Sequence, residues 1–245
     1  MSDNLKIYGI HAITEAIEAG KSIEKVYLQK ESENPAIKTL LILVKKRKIS
    51  LSQVPEIKLE KLSKDRNHQG AVALLSPIVY ADFEITVNRA IQQSDQTLFL
   101  ILDEITDIRN FGAIIRTAEC TNVAAIIIPK SGSAPINADT VKTSAGAVFN
   151  IPICKVDHVK DAIYYFQGSG IQCVAATEKT DNLIYDIDLK KPTAIIMGSE
   201  GRGVNPSVLK IVDEKAKLPL LGKTDSLNVS VACGAILYEV LRQRS

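Results

Sequence analysis

The sequence predicts an α/β fold built in two parts. A C-terminal unit carries a largely parallel sheet covered on both faces, and a smaller α/β unit precedes it. Three observations carry this expectation. Short, continuous apolar runs (Thr97–Leu102, Ala124–Ile128 and Thr193–Met197) have the length of fully buried strands. Segments with helical spacing alternate with them, the pattern of a doubly covered parallel sheet. Between Pro77 and Ser94 the composition turns polar and acidic, which marks a boundary.

The first part, residues 1–78, opens with a predicted helix over Ile10–Ala19, with Ile10, Ile13 and Ile17 on one face and Gly20 as a stop. Ile23–Leu28 alternates like a strand. Pro35–Lys48 is amphipathic through Ile37, Leu40, Leu41 and Val44, and its closing Lys45-Lys46-Arg47-Lys48 suits the negative end of a helix dipole. The same cations could touch phosphate. Ile49–Val54 is a second strand. The polar loop Lys64–Gly70 then leads into Ala71–Leu75, where His68 and Gln69 either cap a turn or hydrogen-bond a base or ribose.

Residues 79–95 read as a linker with a short helix over Val87–Gln93. In residues 96–245, helices are expected over Phe111–Cys120, Asn137–Thr143, His158–Phe166, Asn205–Val212 and Asn228–Arg242. Gln172–Thr177 is a further strand. Ala216–Leu220, interrupted by Pro219, reads as an edge or irregular segment.

Composition excludes several classes. The 245 residues are 46% hydrophobic, enough for a real core, and the net charge of +2 neither requires nor forbids a nucleic-acid partner. With no Trp and 5% aromatics, an aromatic stacking platform is a poor expectation. Cys120, Cys154, Cys173 and Cys233 are far apart and lie in or beside apolar segments, so buried free thiols are expected. His11, His68 and His158 are scattered, and no zinc spacing exists. No run approaches membrane-spanning length and no secretory leader opens the chain, so a cytoplasmic location is expected.

Three segments share one design, an apolar strand followed by a turn of small and polar residues. The first runs from Leu102 to Arg116. Asn110 sits where a helix would begin, and Arg116 falls inside an otherwise apolar helix, which predicts a buried Arg; Glu200 is expected to hold Arg116 or Asn110. The second is Thr193–Pro206, where Gly198, Gly201 and Gly203 surround Ser199, Glu200 and Arg202. Glycines there permit a sharp turn and a close backbone approach to a ligand. The third, Leu218–Ser230, places Ser226 and Asn228 at the start of the last helix, where one of them is expected to cap it. No G-x-x-x-x-G-K-[ST], no early G-x-G-x-x-G and no G-x-S-x-G occurs, which argues against a P-loop NTPase, an ordinary Rossmann dinucleotide site and a serine hydrolase.

The set Asn110–Arg116, Met197–Val204, Leu218–Leu220 and Ser226–Ser230 resembles the three motifs of the SpoU (TrmH-type) RNA ribose 2′-O-methyltransferases of the SPOUT superfamily. The likeness covers roughly residues 97–242. Tyr8–Ala12 and His68–Val72 resemble the family's substrate-binding domain, which is like ribosomal protein L30e. One departure stands out: the family's first motif often carries Asp-Pro before its Asn, and here Ile108 follows Asp107.

The resemblance implies a deep trefoil knot, a homodimer, S-adenosylmethionine as cofactor, no metal, and RNA as partner. The expected substrate is a guanosine ribose in the P-loop hairpin of 23S rRNA, with a tRNA ribose as the alternative. Carried over by motif, the backbones of Gly198, Leu218 and Leu227 hold the cofactor and Thr177 lies near its adenine. Asn110, Arg116, Glu200, Ser226 and Asn228 form the reacting site. An Arg with a pKa above about 12 is a poor general base, so Arg116 is expected to clamp the target phosphate and the developing alkoxide. A rival reading from another class is an RNA-binding, ribosome-associated protein with no activity.

Overall fold

In the computed structural model, residues 6–64 and 66–245 are described; residues 1–5, and Asp65 of the Lys64–Gly70 loop, lie outside them. The chain divides into two compact units: the first takes the residues up to Val79 together with Ile136–Ala138, and the second takes Tyr80–Pro135 and Asp139–Ser245.

The first unit is a four-stranded mixed sheet with three helices. In chain order these are β1 (Lys6–Tyr8), α1 (Ile10–Glu18), β2 (Ile23–Gln29), α2 (Pro35–Lys46), β3 (Leu51–Val54), α3 (Glu56–Ser63) and β4 (Ala71–Leu75). The strand order is β1-β4-β2-β3, with β4 antiparallel to both its neighbours and β2 parallel to β3. Val26 and Leu28 of β2 meet Ile13, Ile17, Leu40 and Val44 in the core, so the alternation read in the sequence gives the right face. Asn34 caps α2 by accepting from the Ala36 N–H at 2.9 Å, and Pro35 follows at the first turn. Neither β1 nor α3 was expected. β1 is only three residues long, and α3 buries little beyond Leu59 and Ser63, so neither leaves a periodic signal.

The second unit begins with α4 (Phe83–Gln93). Asp82 accepts from the Ile85 N–H at 2.9 Å and starts this helix four residues before the expected Val87. The acidic stretch that reads as linker is therefore a cap. Val87 is fully buried with Phe99 and Phe166.

Then follow β5 (Leu98–Asp103), α5 (Ile108–Cys120), β6 (Ala125–Pro129), α6 (Ala138–Thr143), β7 (Ile153–Val156), α7 (Val159–Gly168), β8 (Gln172–Ala176), β9 (Thr193–Gly198), α8 (Pro206–Leu209), β10 (Glu214–Ala216) and α9 (Val229–Arg244). The six strands are parallel, in the order β10-β8-β9-β5-β6-β7. Every residue of β5, β6 and β9 is buried, as strands covered on both faces require. β7 was missed because it is four residues long with Lys155 among them. The central pair matters most for function. β5 and β9 run in register from Leu98↔Thr193 to Asp103↔Gly198, which places a carboxylate beside the glycine that ends β9.

The cysteines depart from expectation at one position. Cys154, Cys173 and Cys233 are buried, but Cys120 is exposed because it lies off the stripe of Phe111, Ile114, Ile115 and Ala118 that α5 buries. Burial pushes the Cys154 thiol up to about 11 and those of Cys173 and Cys233 to about 12. At pH 8 a small aromatic disulfide reagent should therefore find one reactive thiol in the native protein and all four after denaturation. A second fast-reacting thiol in the native protein would contradict this packing.

Candidate active site

The site grows from the turn after β9. Ser199 and Gly203 exchange two backbone hydrogen bonds: the Gly203 N–H donates to the Ser199 carbonyl at 2.8 Å, and the Ser199 N–H donates back at 3.2 Å. This folds the turn against the strand end so closely that a Cβ on Gly198 would lie 2.0 Å from the Gly203 carbonyl carbon and the Val204 nitrogen. Glycine is needed at 198 for that approach. At its far end the turn is held by Asp103, whose Oδ2 accepts from the Asn205 N–H at 2.9 Å. Burial raises the pKa of Asp103; the Asn205 N–H opposes the rise, and the neighbouring Glu104 charge adds to it.

Three side chains meet on this turn. Asp107 caps α5 by accepting from the Asn110 N–H at 2.9 Å, so the helix starts before Asn110 and leaves that side chain free for other partners. Asn110 Nδ2 donates to Glu200 Oε1. Asn228 Nδ2 donates to Asn110 Oδ1 at 3.0 Å and to Glu200 Oε1 at 3.3 Å. Asn228 also caps α9, its Oδ1 accepting from the Ser230 N–H at 2.9 Å. The sequence reading set capping and site membership as alternatives; the amide of Asn228 does both, with oxygen toward the helix and nitrogen toward the carboxylate.

Two cavities share the Ser199–Arg202 turn and Val229 as a common wall. The first, about 370 Å³, opens beyond the carboxyl ends of β8, β9 and β10, where ligands of parallel α/β sheets bind. Thr177, Gly198, Leu218 and Leu227, the residues expected for a cofactor, all line it; Ser226, expected in the reacting site, lines this cavity too and not the second. Ala176, Met197, Ala216 and Ile236 give it an apolar floor, while Glu178, Lys179 and Asp225 give it a polar rim. The second cavity, about 470 Å³, is lined by Asn110, Glu200 and Arg202 together with Glu104 and Asp107.

One expectation fails. Arg116 is exposed, not buried; of the two partners expected for Glu200 it takes Asn110, joined by Asn228. The cause is helical phase: α5 buries Phe111, Ile114, Ile115 and Ala118, and Arg116 projects away from that stripe. The sequence reading also missed Asp103 and Glu104 as site-forming residues. Glu104 stands at a φ of 61°, unusual for a residue with a side chain. Only their place, two acids closing a wholly apolar run, could have drawn attention to them.

Two predictions follow from this geometry. Gly198→Ala should drive the turn off β9 at a cost of about 1–3 kcal/mol, read as a fall in Tm; an unchanged Tm would contradict the close approach. The raised pKa of Asp103 means that its share of stability is fully present below the ordinary Asp range and is lost as pH rises through its folded value. Asp103→Asn keeps an acceptor for the Asn205 N–H and removes the buried charge. Its Tm at pH 7 should be no lower than that of the native protein, and a clear loss would show that the charge itself holds the turn.

The chain is similar to known proteins along most of its length. A model of the SpoU rRNA methylase family matches residues 97–238, and a model for RNA 2′-O ribose methyltransferase substrate binding matches residues 6–81. A Staphylococcus saprophyticus protein assigned to the TrmH family of tRNA/rRNA methyltransferases is 34% identical over 99% of this chain and 97% of its own. A Staphylococcus aureus protein with the same assignment is 36% identical over 97% and 96%. Among solved structures, an AdoMet-bound rRNA methyltransferase from Sinorhizobium meliloti aligns with a TM-score of 0.62 at 25% identity, covering 97% of this chain and 87% of the other. The A. aeolicus TrmH/SpoU tRNA modifying enzyme aligns with a TM-score of 0.56 at 31% identity, covering 66% and 84%. With a catalytic-domain match over more than half its length and a substrate-binding match ahead of it, this chain belongs to the SpoU (TrmH) family of RNA methyltransferases.

Proposed function

We propose that this protein methylates a ribose 2′-hydroxyl in RNA with S-adenosylmethionine as donor, and that its target is a guanosine of 23S rRNA. One observation carries the reaction type: the carboxylate of Glu200, held by two amides, stands on the wall shared by two cavities. The first cavity fits the donor, because its apolar floor suits a flat heteroaromatic ring and its polar rim suits the charged methionyl end. When bound, the donor supplies an electrophilic methyl group on a sulfonium sulfur. Gly198, Leu218 and Leu227 would hold it and Thr177 would lie by its ring.

The second cavity would take the target ribose. The 2′-hydroxyl would face that methyl group and take it in place of its own proton, which must leave. Glu200 Oε1 is occupied by the two amides, which fix the plane of the carboxylate and leave Oε2 to accept the hydroxyl hydrogen. Holding the two reacting atoms in line is the larger contribution, worth on the order of 7–11 kcal/mol in well-oriented systems. Arg116 stands on α5 about 9 Å of helix axis beyond Asn110. Exposed there, it is assigned to the target phosphate as a fixed cation with a bidentate fork.

The trefoil knot and the pairing of two chains belong to the same proposal. Pairing is supported by the exposed Val231 and Tyr238 on α9, the helix that packs against α5.

Calorimetry with S-adenosylmethionine, combined with methyl transfer to 23S rRNA and tRNA transcripts, tests the reading. Glu200→Gln should cut turnover by about 10²-fold or more. Arg116→Ala should leave donor affinity unchanged and lower the salt slope of RNA binding by about one ion. No heat of donor binding, or native turnover in Glu200→Gln, would overturn it.

A further inference from the structure

The first unit holds an open cavity of its own, about 680 Å³, lined by the end of β2, the start of α2, one face of α3 and the loop Arg66–Gly70. Its volume lies within the roughly 300–1,000 Å³ of sites that take small ligands. The geometry points to this cavity as a subsite for an unpaired RNA base, guanine before the others. The proposal rests on the protein being an RNA-modifying enzyme, and it concerns a place outside the two cavities described above.

Two side chains on the loop have their hydrogen-bond direction fixed by the backbone. His68 Nδ1 accepts from the Gly70 N–H at 3.0 Å, so in the neutral ring the proton sits on Nε2 and that nitrogen donates. Gln69 Oε1 accepts from the Ile10 N–H at 3.3 Å, at the start of α1 where the N-cap Gly9 has no side chain to do so, and its amide nitrogen is left as a donor. Gln69 and Gly70 both adopt positive φ, 50° and 80°, which closes the loop tightly enough for these two bonds. Arg66 stands over the Tyr8 ring at 5.2 Å and adds a cation at the loop's start.

Two carboxylates line the cavity as well. Glu56 and Glu60 lie one turn apart on the same face of α3, and both are exposed. Glu56 Oε2 accepts from Gln29 Nε2 at 3.3 Å. The side chain of Glu60 has no hydrogen-bond or ion-pair partner among the described residues and lines the cavity.

A ligand for such a site must offer acceptors to the His68 and Gln69 donors and donors to the α3 carboxylates. A phosphate has no donors and would be repelled by two carboxylates, so the backbone of RNA does not fit. A splayed-out base does, since unpaired bases are read along their Watson–Crick and Hoogsteen edges. Guanine presents O6 and N7 as acceptors, and its adjacent N1–H and N2–H₂ pair with a single carboxylate. Adenine has one donor group there, and uracil one N–H.

The test uses the full chain and the pentanucleotides UUGUU, UUAUU, UUCUU and UUUUU in fluorescence anisotropy. UUGUU should bind about tenfold tighter than UUUUU, the equivalent of one good hydrogen-bonded pair. Glu60→Gln, on an exposed helix face, should abolish most of that preference. Gln69→Glu keeps the acceptor for the Ile10 N–H and removes the donors, so it should weaken UUGUU binding with no loss of Tm. Both variants should keep native S-adenosylmethionine affinity. Equal binding of all four oligomers, or a guanine preference unchanged in both variants, would overturn the subsite. If the donor still binds in calorimetry, either result leaves the methyltransferase reading standing.

Discussion

The candidate active site depends on one carboxylate oxygen. Glu200 Oε1 accepts from Asn110, at the first turn of α5, and from Asn228, the cap of α9. These residues lie 90 and 28 positions away in the chain, so the bonds tie a turn and two helix starts into one unit. Loss of either amide would leave Glu200 with fewer donors and would release the wall that the two cavities share. The supporting parts are correspondingly rigid. Gly198 lies against the backbone of Gly203 and Val204, and Asp103 grips the far end of the turn. A charged-group hydrogen bond of this kind contributes about 1.5–3 kcal/mol, yet burial raises the pKa of Asp103. The fold thus keeps a carboxylate where ionisation is disfavoured, which is more consistent with fixing geometry than with maximising stability.

Much of this was legible in the sequence because the second unit is covered on both faces. β5, β6 and β9 are wholly apolar runs, and such runs need no alternation to be recognised. The pieces of the site were also visible, because a turn rich in Gly after a buried strand and an Asn before a helix are local patterns. Their assembly was not. The pairing of Asn110 with Asn228 depends on the order in which strands enter the sheet, and β9 lies between β8 and β5. Nothing in the local sequence states that order.

The errors have equally specific causes. The cap of α5 is Asp107, three residues before Asn110, whose Oδ1 lies within reach of the Asn110 N–H. Arg116 was expected inside because its neighbours are apolar. A helix buries only a stripe, and Arg116 falls outside it. Separation from Glu200 changes the electrostatic picture. The carboxylate is held by neutral amides, while Arg116 is exposed on α5. That division suits a reaction in which one group handles a hydroxyl hydrogen and another handles an anion.

The most direct measurement of the central claim is the identity of the methylated product. The purified protein would be incubated with S-adenosylmethionine labelled in its methyl group and with unmodified 23S rRNA, and the RNA then digested to nucleosides and separated by mass. The account predicts label in 2′-O-methylguanosine at a single position. Label on a base carbon or nitrogen, or none in RNA while the donor binds, would contradict it.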